Sequence, residues 1–280
     1  MNILEKIVET KKQEVLQRSA ESPVRELRQH DFYKRPCLSL KPFLLDSTKT
    51  GIIAEFKRRS PSKGVINEFA SLLEVTAAYS RNGASALSVL TDSQYFGGTK
   101  EDLIAARSNH LPILRKDFVI DPYQVEETKA IGADIILLIA SCLRPAEVRN
   151  LAALAHNLGL EVLLEIHDRE ELGHLCEEVD FIGVNNRDLK TFTVDIQRSV
   201  ELSELVPQGF VRITESGIYQ PSTIHLLRRY GYLGFLIGEN FMKEPDPAIA
   251  FASFVNELKK EPHEGKSLRH DATGTGKKAG

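Results

Sequence analysis

Eight short apolar runs, separated by amphipathic stretches, predict an α/β fold: a closed (β/α)8 TIM barrel preceded by an N-terminal helical extension. The runs are rich in Val, Ile and Leu and are mostly continuous, as expected of parallel strands that are buried on both faces. The helical patterns between them close on glycine, the residue that lets a short loop turn from a helix into the next strand. Strand alternating with helix eight times over about 200 residues favours closure into a barrel.

The strands are predicted, in order, by the runs GIIAEF, ALSVLT, PILRKDF, DIILLIA, EVLLEI, FIGVNN, FVRITESG and GFLIG. The clearest helical patterns between them end at Gly83, Gly132, Gly159 and Gly231. Three prolines stand at or near the first turn of a helix, where the missing N–H costs no hydrogen bond: Pro122, Pro145 and Pro221. An open doubly wound sheet is the alternative, but it more often has fewer strands and a Gly-x-Gly-x-x-Gly turn, which does not occur here.

Residues 1–48 are predicted to form helices that pack on the barrel as an extension rather than as a separate domain. The stretch ILEKIVETKKQEVLQR places its apolar residues on one helical face. The domain prediction is therefore a single barrel domain over residues 1–258. A disordered polar tail is expected at 259–280, because KKEPHEGKSLRHDATGTGKKAG is polar and rich in glycine.

The composition is that of a globular protein that can bury a large core. The 280 residues are 42% hydrophobic and 27% charged, with a formal net charge of -3. This balance predicts no binding to nucleic acid or membranes, and no apolar stretch approaches the ~18 residues of a membrane helix or the apolar run of a cleavable signal. Cys37, Cys142 and Cys176 are widely separated, so we expect a cytoplasmic protein without disulfides or structural zinc.

Polar and charged side chains stand where the predicted strands end, and function collects at this end of such a barrel. They are Glu55, Lys57 and Ser60 after the first strand, Thr91 and Asp92 after the second, Lys116 and Asp117 after the third, Glu165 and His167 after the fifth, Asn185, Asn186 and Arg187 after the sixth, Glu215, Ser216 and Gly217 after the seventh, and Gly238 and Glu239 after the eighth. Two lysines and several carboxylates at one mouth would shift one another's pKa values and so supply an acid and a base at neutral pH. A structural ion-pair network is the plainer alternative.

Small residues at the ends of strands seven and eight indicate a phosphate site, because backbone N–H groups in TESGI and LIGENF can surround an anion. Glu239 would repel that anion unless it contributes only its N–H and turns its side chain away. Phe96 and Phe118, just past the second and third strands, either hold a flat ring or are plain packing residues. Gly97 and Gly98 would leave the loop of Phe96 able to move as a lid.

His167 and Asp168 raise the question of a metal ion. No second histidine stands at His-x-x-x-His spacing on this segment. We therefore interpret His167 as a rim residue at the start of a helix, with Asp168 near the N-cap, and predict no metal site.

The segment IIAEFKRRSPSKG resembles the sequence pattern of the indole-3-glycerol-phosphate synthase family, which closes the indole ring in tryptophan biosynthesis. Further blocks that match this family in order are ALSVLTDSQYFGG, PILRKDFVIDPYQV, LLEIHDREEL, IGVNNRDL, ITESGI and FLIGENFM, so the resemblance spans about residues 1–257. It implies a carboxy-lyase that acts, without a cofactor, on a phosphorylated small molecule, 1-(2-carboxyphenylamino)-1-deoxyribulose 5-phosphate.

The resemblance also implies a role for each residue at the mouth. Lys116 would be the general acid that protonates the ketone, while Lys57, oriented by Glu55, would hold the substrate carboxylate. Glu165 would be the acid and base of the dehydration, with Asn185 and Glu215 placing the substrate hydroxyls and the catalytic carboxylate. The remaining substrate-binding residues would be Ser216, Gly217, Gly238 and Glu239 at the phosphate, together with Ser60, Phe96, Phe118 and Arg187. Arg58 and Arg59 receive no role, and at least one of them is expected to be solvated or salt-bridged.

Two other functions stay open on the sequence alone. Another phosphate-binding barrel, such as phosphoribosylanthranilate isomerase, would share the ends of strands seven and eight but would not need both Lys57 and Lys116. A non-catalytic barrel that senses a phosphorylated metabolite would keep Ser216 and Gly238 and lose the acid and the base. The oligomeric state is also open, with a monomer among the possibilities.

Overall fold

The centre of the molecule is a closed barrel of eight parallel strands, seen in a computed structural model that describes residues 2–189 and 191–260. In chain order the strands are β1 (Ile52–Phe56), β2 (Ala86–Leu90), β3 (Ile113–Lys116), β4 (Ile135–Ile139), β5 (Glu161–Ile166), β6 (Phe181–Asn185), β7 (Val211–Glu215) and β8 (Tyr232–Ile237). Each strand pairs with the next, and β8 returns to β1, where Phe235 lies opposite Ile52. The eight predicted strands and the closure of the barrel are confirmed.

Helices alternate with these strands. They are α1 (Ile3–Glu21), α2 (Val24–Leu27), α3 (Leu40–Leu45), α4 (Leu72–Arg81), α5 (Ser93–Phe96), α6 (Lys100–Ala106), α7 (Pro122–Ala130), α8 (Pro145–Asn157), α9 (Gln197–Ser203), α10 (Pro221–Arg229), α11 (Glu239–Met242) and α12 (Pro247–Lys260). Short 3-10 helices cover Asp31–Lys34, Arg107–Asn109, Ala140–Cys142 and Glu170–His174. The three prolines each occupy the first turn of their helix, and the four predicted helix-ending glycines have φ angles of 75 to 92°, as predicted.

The core has two layers, one inside the barrel and one between strands and helices. Ile53 belongs to the inner layer with residues such as Leu114 and Phe181, whereas Ile52 belongs to the outer layer. Side chains alternate along a strand, so Glu55 shares the inward face with Ile53. The apolar interior therefore ends, towards the carboxyl ends of the strands, in a ring of polar side chains.

The N-terminal extension packs on the barrel as predicted, and α1 is held there by charge as well as by apolar contact. Lys11 on α1 is fully buried, with its Nζ 2.9 Å from Asp92 and 3.0 Å from Asp117. These two aspartates follow β2 and β3, so the ion cluster ties α1 to the carboxyl end of the barrel. Nothing local in the sequence predicts this contact, because it joins residues that are far apart along the chain.

Helix α12 includes Lys259 and Lys260, so it continues past residue 258, where the predicted barrel domain ends. The remainder of the predicted tail, 261–280, lies outside the described residues. No helix within residues 2–189 and 191–260 has the length and apolar character that a membrane span requires.

Candidate active site

A cavity with two lobes opens at the carboxyl ends of the strands. The larger lobe has a volume of about 130 Å³ and the smaller one about 60 Å³. Side chains that line both lobes are Glu55, Lys57, Arg187, Ser216, Leu236 and Glu239. Every residue to which the family resemblance gives a catalytic or substrate-binding role lines one lobe or the other, so the structure brings all of these together, whereas Thr91, Asp92, His167 and Asn186 line neither lobe.

Lys116 ends β3 and lies between two buried glutamates. Its Nζ is 3.1 Å from Oε2 of Glu165, on β5, and 3.6 Å from Oε2 of Glu215, on β7. Burial opposes a charged lysine, but the attraction of Glu165, Glu215 and Glu55 outweighs it and holds the pKa of Lys116 above its ordinary range. Lys116 is therefore an ammonium group, with a proton to donate into the cavity.

The pKa values of the two glutamates beside Lys116 are shifted in opposite directions. Burial opposes ionisation of Glu165, but Lys116, His167 and a 3.1 Å hydrogen bond donated by Asn185 hold the pKa of Glu165 below its usual range. Burial raises the pKa of Glu215, and repulsion from Glu165 and Glu55 adds to this against the pull of Lys116. An ionised carboxylate and a neutral carboxyl thus flank one ammonium, an arrangement that supplies both a base and an acid.

Gly183 on β6 makes room for Glu215. A Cβ at this position would lie 2.7 Å from Oε1 of Glu215 and 3.1 Å from Cδ1 of Leu163. Oε1 itself has no hydrogen-bond partner within the part of the chain that the structure describes, which leaves it available to a bound molecule. The sequence gives no sign of this requirement, because a glycine inside a strand has several explanations.

Glu55 and Lys57 form an ion pair at the end of β1. The Nζ of Lys57 donates to Oε1 of Glu55 at 2.7 Å, and both side chains line the cavity, as their spacing of two residues predicts. Gly238 packs against this pair, since a Cβ there would lie 2.5 Å from the same Oε1. The glycine at the end of β8 is therefore required by the position of Glu55, in addition to any contact that its backbone makes with a ligand.

Asn185 connects the acid–base cluster to the smaller lobe. Its Nδ2 donates to Glu165, while its Oδ1 accepts from Oγ of Ser216 at 2.9 Å and from the backbone N–H of Arg187 at 3.0 Å. Ser216 has a φ of 65°, a left-handed conformation that is uncommon for a residue with a Cβ and that is found preferentially at functional sites. Asn185 thus fixes the orientation of groups in both lobes.

Glu239 is neutralised within the smaller lobe. Its Oε2 accepts a hydrogen bond of 3.0 Å from Nη2 of Arg187. The sequence required the Glu239 side chain to turn away from an anion, and this ion pair removes the repulsion in a different way. The pair also holds the Arg187 guanidinium at the wall of both lobes.

Apolar side chains line much of the larger lobe. The rings of Phe96 and Phe118 lie 6.0 Å apart, tilted by 38°. Sequence reasoning missed the part of this wall that comes from α1 and from the loop after β6: Ile3, Leu4, Ile7, Leu189 and Phe192. These residues carry no local signal of a site, because only the docking of α1 and the path of the loop bring them to the cavity.

The loop of Phe96 is held at two points. Arg58 donates to Asp102 at 2.6 and 2.9 Å and to the carbonyl of Gly97 at 3.2 Å, so the prediction of a salt-bridged arginine is confirmed for Arg58. Gly98 packs so closely on the Leu90 carbonyl that a Cβ could not be accommodated. The sequence predicts that Gly97 and Gly98 let this loop move as a lid. At Gly98, however, glycine is required by close packing against β2.

His167 stands just past the end of β5, where its side chain is largely buried between two glutamates. Its side chain is only 11% exposed, with Nε2 3.3 Å from Oε1 of Glu165 and Nδ1 3.3 Å from Oε2 of Glu171. Burial opposes a charged imidazole, but the attraction of the two glutamates, together with the hydrogen bond between Nδ1 and Glu171, raises the pKa of His167 to about 9. His167 contacts Glu165 because side chains alternate along an extended chain, and His167 stands two residues beyond Glu165 on the same face.

The segment after His167 forms only the 3-10 helix Glu170–His174, and Asp168 accepts a hydrogen bond of 3.0 Å from the backbone N–H of Glu171. Among residues 2–189 and 191–260, no group of three or more His, Cys, Asp or Glu side chains is arranged to hold a metal ion.

The chain is similar in sequence to known enzymes of one family. The family model for indole-3-glycerol phosphate synthase matches residues 4–254. The chain is similar to the indole-3-glycerol phosphate synthase of Bacteroides thetaiotaomicron, with 46% identity over 259 residues that cover 92% of this chain and 99% of the relative. It is similar to the enzyme of the same name from Polynucleobacter asymbioticus, with 42% identity over 261 residues that cover 90% and 98%.

Solved structures of other barrels share the fold. The 3-hexulose-6-phosphate synthase of Salmonella typhimurium superposes with a TM-score of 0.59 at 13% identity, over 74% of this chain and 98% of that one. A structure described as native KDPGal gives a TM-score of 0.57 at 15% identity, over 77% and 95%. At such low identity these similarities concern the barrel alone.

Proposed function

Because this chain belongs to the indole-3-glycerol phosphate synthase family, we propose that its cavity holds 1-(2-carboxyphenylamino)-1-deoxyribulose 5-phosphate with the benzoate ring in the larger lobe and the phosphate in the smaller one. The enzyme is a carboxy-lyase of tryptophan biosynthesis, which excludes the isomerase and sensor alternatives. The observation that carries the proposed binding mode is the position of Lys116, between Glu165 and Glu215, in a cavity whose two lobes differ in polarity.

Ring closure is the first step. The aromatic carbon that bears the carboxylate attacks the ketone, and Lys116 protonates the oxygen as the new carbon–carbon bond forms. Lys57 binds the substrate carboxylate close to the reacting carbon, and its 2.7 Å ion pair with Glu55 fixes its direction. Lysines buried among carboxylates can hold and donate protons here because the surroundings are largely shielded from water.

Decarboxylation and dehydration follow. Loss of carbon dioxide restores the aromatic ring, and loss of the new hydroxyl as water completes the indole. Glu165 is the acid for the leaving hydroxyl and then the base that removes the ring proton. Glu215, whose raised pKa favours the neutral carboxyl, donates a hydrogen bond to a substrate hydroxyl.

The phosphate is bound in the smaller lobe. Gly217, Gly238 and Glu239 line this lobe, their backbone N–H groups would bind the phosphate, and the Arg187 guanidinium adds a positive charge. The ring stacks against Phe96 and Phe118 in the larger lobe, with Ser60 at its edge. All of these residues come from one chain, so the proposal does not require a second subunit.

A direct assay tests this proposal. Purified protein is incubated with the aminodeoxyribulose phosphate, and carbon dioxide release and indole fluorescence are followed together. We expect both signals to rise in equal amounts, and to rise ~10²–10⁴ times more slowly with a folded Lys116→Met variant. Absence of both signals from the unmodified protein would overturn the proposal.

The two lobes are tested separately with inorganic phosphate and with a benzoate-containing fragment. We expect phosphate to inhibit competitively with a binding constant that is weakened by Arg187→Gln, while the fragment is insensitive to that change. Equal sensitivity of both ligands would mean that the ring and the phosphate are not divided between the lobes as proposed.

A further inference from the structure

Glu165, His167 and Glu171 form a line of three titratable side chains. Each ring nitrogen of His167 faces a different carboxylate at 3.3 Å, and Glu171 also accepts a 2.6 Å hydrogen bond from the backbone N–H of His167. Side-chain exposure rises along the line from 2% at Glu165 to 11% at His167 and 13% at Glu171. The imidazole therefore stands between the buried base of the cavity and the water outside.

The other groups near this line do not compete for its proton. Lys116 and Glu215 lie beyond Glu165, on the far side from His167. The Cys142 thiol is close to both glutamates, but burial and then the charges of Glu165 and Glu171 raise its pKa to about 12, so that it stays neutral. Asp168 is engaged with the backbone of Glu171. His167 is thus the cationic acid on the outer side of Glu165.

The proposed reaction needs such an acid, and the inference rests on that proposed function. Ring closure takes one proton from Lys116, loss of water takes a second, and loss of a ring proton returns one. Each turnover therefore consumes one proton from water. That proton restores Lys116. Since Glu165 is ionised in the empty site and the hydroxyl leaves before the ring proton is lost, the proton that Glu165 gives to the hydroxyl comes from a neighbour, and the ring proton that Glu165 then removes can pass back to that neighbour.

We propose that His167 is the proton store for Glu165: its imidazolium, held by Glu171, passes a proton from Nε2 to Oε1 of Glu165 before the hydroxyl leaves and takes one back from Glu165 after Glu165 has removed the ring proton. The N–H bond at Nε2 breaks as the O–H bond at Glu165 forms, and the neutral imidazole remains in place. His167 does not touch the substrate and acts through Glu165. Glu171 is the positioning residue that keeps the ring oriented and favours its charged form.

Two substitutions test whether His167 stores a proton while keeping side chains of similar size at both positions. His167→Gln keeps a hydrogen-bond donor of similar reach but carries no transferable proton, and Glu171→Gln keeps the shape while removing one charge. We expect His167→Gln to lower kcat by about tenfold or more with little change in KM, within the range that proton transfer contributes. His156→Gln is the matched control, because His156 also pairs with a carboxylate, Asp180 at 2.9 Å, but stands on α8 outside the cavity.

The pH dependence separates a proton store from a structural ion pair. In the unmodified enzyme kcat should fall as pH rises through about 9, where His167 loses its charge. Glu171→Gln should move this fall to lower pH, and His167→Gln should leave only the fall near pH 8 that ionisation of Glu215 causes. A lowered kcat in His167→Gln with the same pH profile would mean that the histidine only supports the fold, and an unchanged kcat would exclude the store altogether.

A titration of the free protein gives an answer that is independent of turnover. Nitrogen-15 shifts of the His167 ring, followed by NMR, should show protonation near pH 9 and a lower midpoint in Glu171→Gln. A ring that titrates near the ordinary histidine value of ~6.5 would overturn the inference even in an active enzyme. If the ring titrates as expected but the enzyme makes no indole product, the proposed function fails instead.

Discussion

The Nζ of Lys116 lies 3.1 Å from Oε2 of Glu165, across the barrel interior from β3 to β5. This contact holds the lysine charged and the glutamate ionised in a place where neither would be stable alone. In the proposed reaction Lys116 is the group that donates a proton first, and Glu165 is the group that accepts one.

The two lysines at the mouth have different tasks and should respond differently to substitution. Lys116→Met removes the acid and keeps the apolar stem, so kcat should fall by ~10²–10⁴. Lys57→Arg keeps a charge that can hold a carboxylate, whereas Lys116→Arg installs a poor proton donor, so Lys57→Arg should retain more activity. Steady-state kinetics on the three folded variants decides the matter. Equal losses for both arginine variants would show that the division of labour is wrong.

Gly183 should be essential although it carries no functional group. In Gly183→Ala the new methyl would stand 2.7 Å from Oε1 of Glu215, so the carboxyl must move and kcat should fall about tenfold or more. Gly173→Ala is the control, because a Cβ there meets nothing within 4 Å and the backbone angle is not in the left-handed region. Comparable kinetics for the two variants would indicate that Glu215 can shift without consequence.

The raised pKa of His167 should appear in the pH dependence of folding. A histidine whose folded pKa exceeds its unfolded value stabilises the fold fully below about pH 6.5 and loses that contribution as pH rises through about 9. The free energy of unfolding should therefore fall by on the order of 3 kcal/mol across this window, and this contribution should be missing in His167→Gln. Urea unfolding at several pH values measures it. If the free energy of unfolding changed with pH in the same way in the unmodified protein and in His167→Gln, the expectation would be contradicted.

Lys11 should contribute strongly to stability. Lys11→Met would leave Asp92 and Asp117 buried without their cation, and breaking a buried ion pair in this way costs about 3–5 kcal/mol. Lys12→Met removes an exposed lysine from the next position of the same helix and should change stability by less than ~0.5 kcal/mol. Denaturant titration of both variants gives the comparison. A small effect of Lys11→Met would show that α1 docks through apolar contact alone.

Activity should survive exhaustive removal of metal ions. The proposed steps use only Lys116, Glu165 and their neighbours as acids and bases, so chelation by EDTA followed by dialysis should leave kcat unchanged. Complete loss of activity, restored by one divalent ion, would overturn the mechanism.

The parts of the fold and site that the sequence predicts are those with a local cause. Buried strands are recognisable from runs of Val, Ile and Leu, and alternation along β1 is enough to place Glu55 and Lys57 in one cavity. Lys116 and Glu165 are predicted because charge at the end of an apolar run is costly unless it is used. These conclusions need no knowledge of which distant segments meet.

The features that the sequence does not predict depend on contacts between distant segments. The burial of Lys11 requires the loops after β2 and β3, and the need for Gly183 requires the Glu215 side chain of the neighbouring strand. The contacts of His167 have a local cause. The same alternation that places Glu55 and Lys57 on one face also puts Glu165 and His167 on one face.

The docking of α1 has a practical consequence for work with this protein. Asn2 caps the helix, and Ile3 already lines the larger lobe, so any peptide fused ahead of α1 emerges beside the entrance to the cavity. An affinity tag at that end would compete with the substrate for space and would change apparent binding constants without altering the chemistry. Kinetic comparisons between preparations are therefore meaningful only when the N-terminal sequence is the same in each.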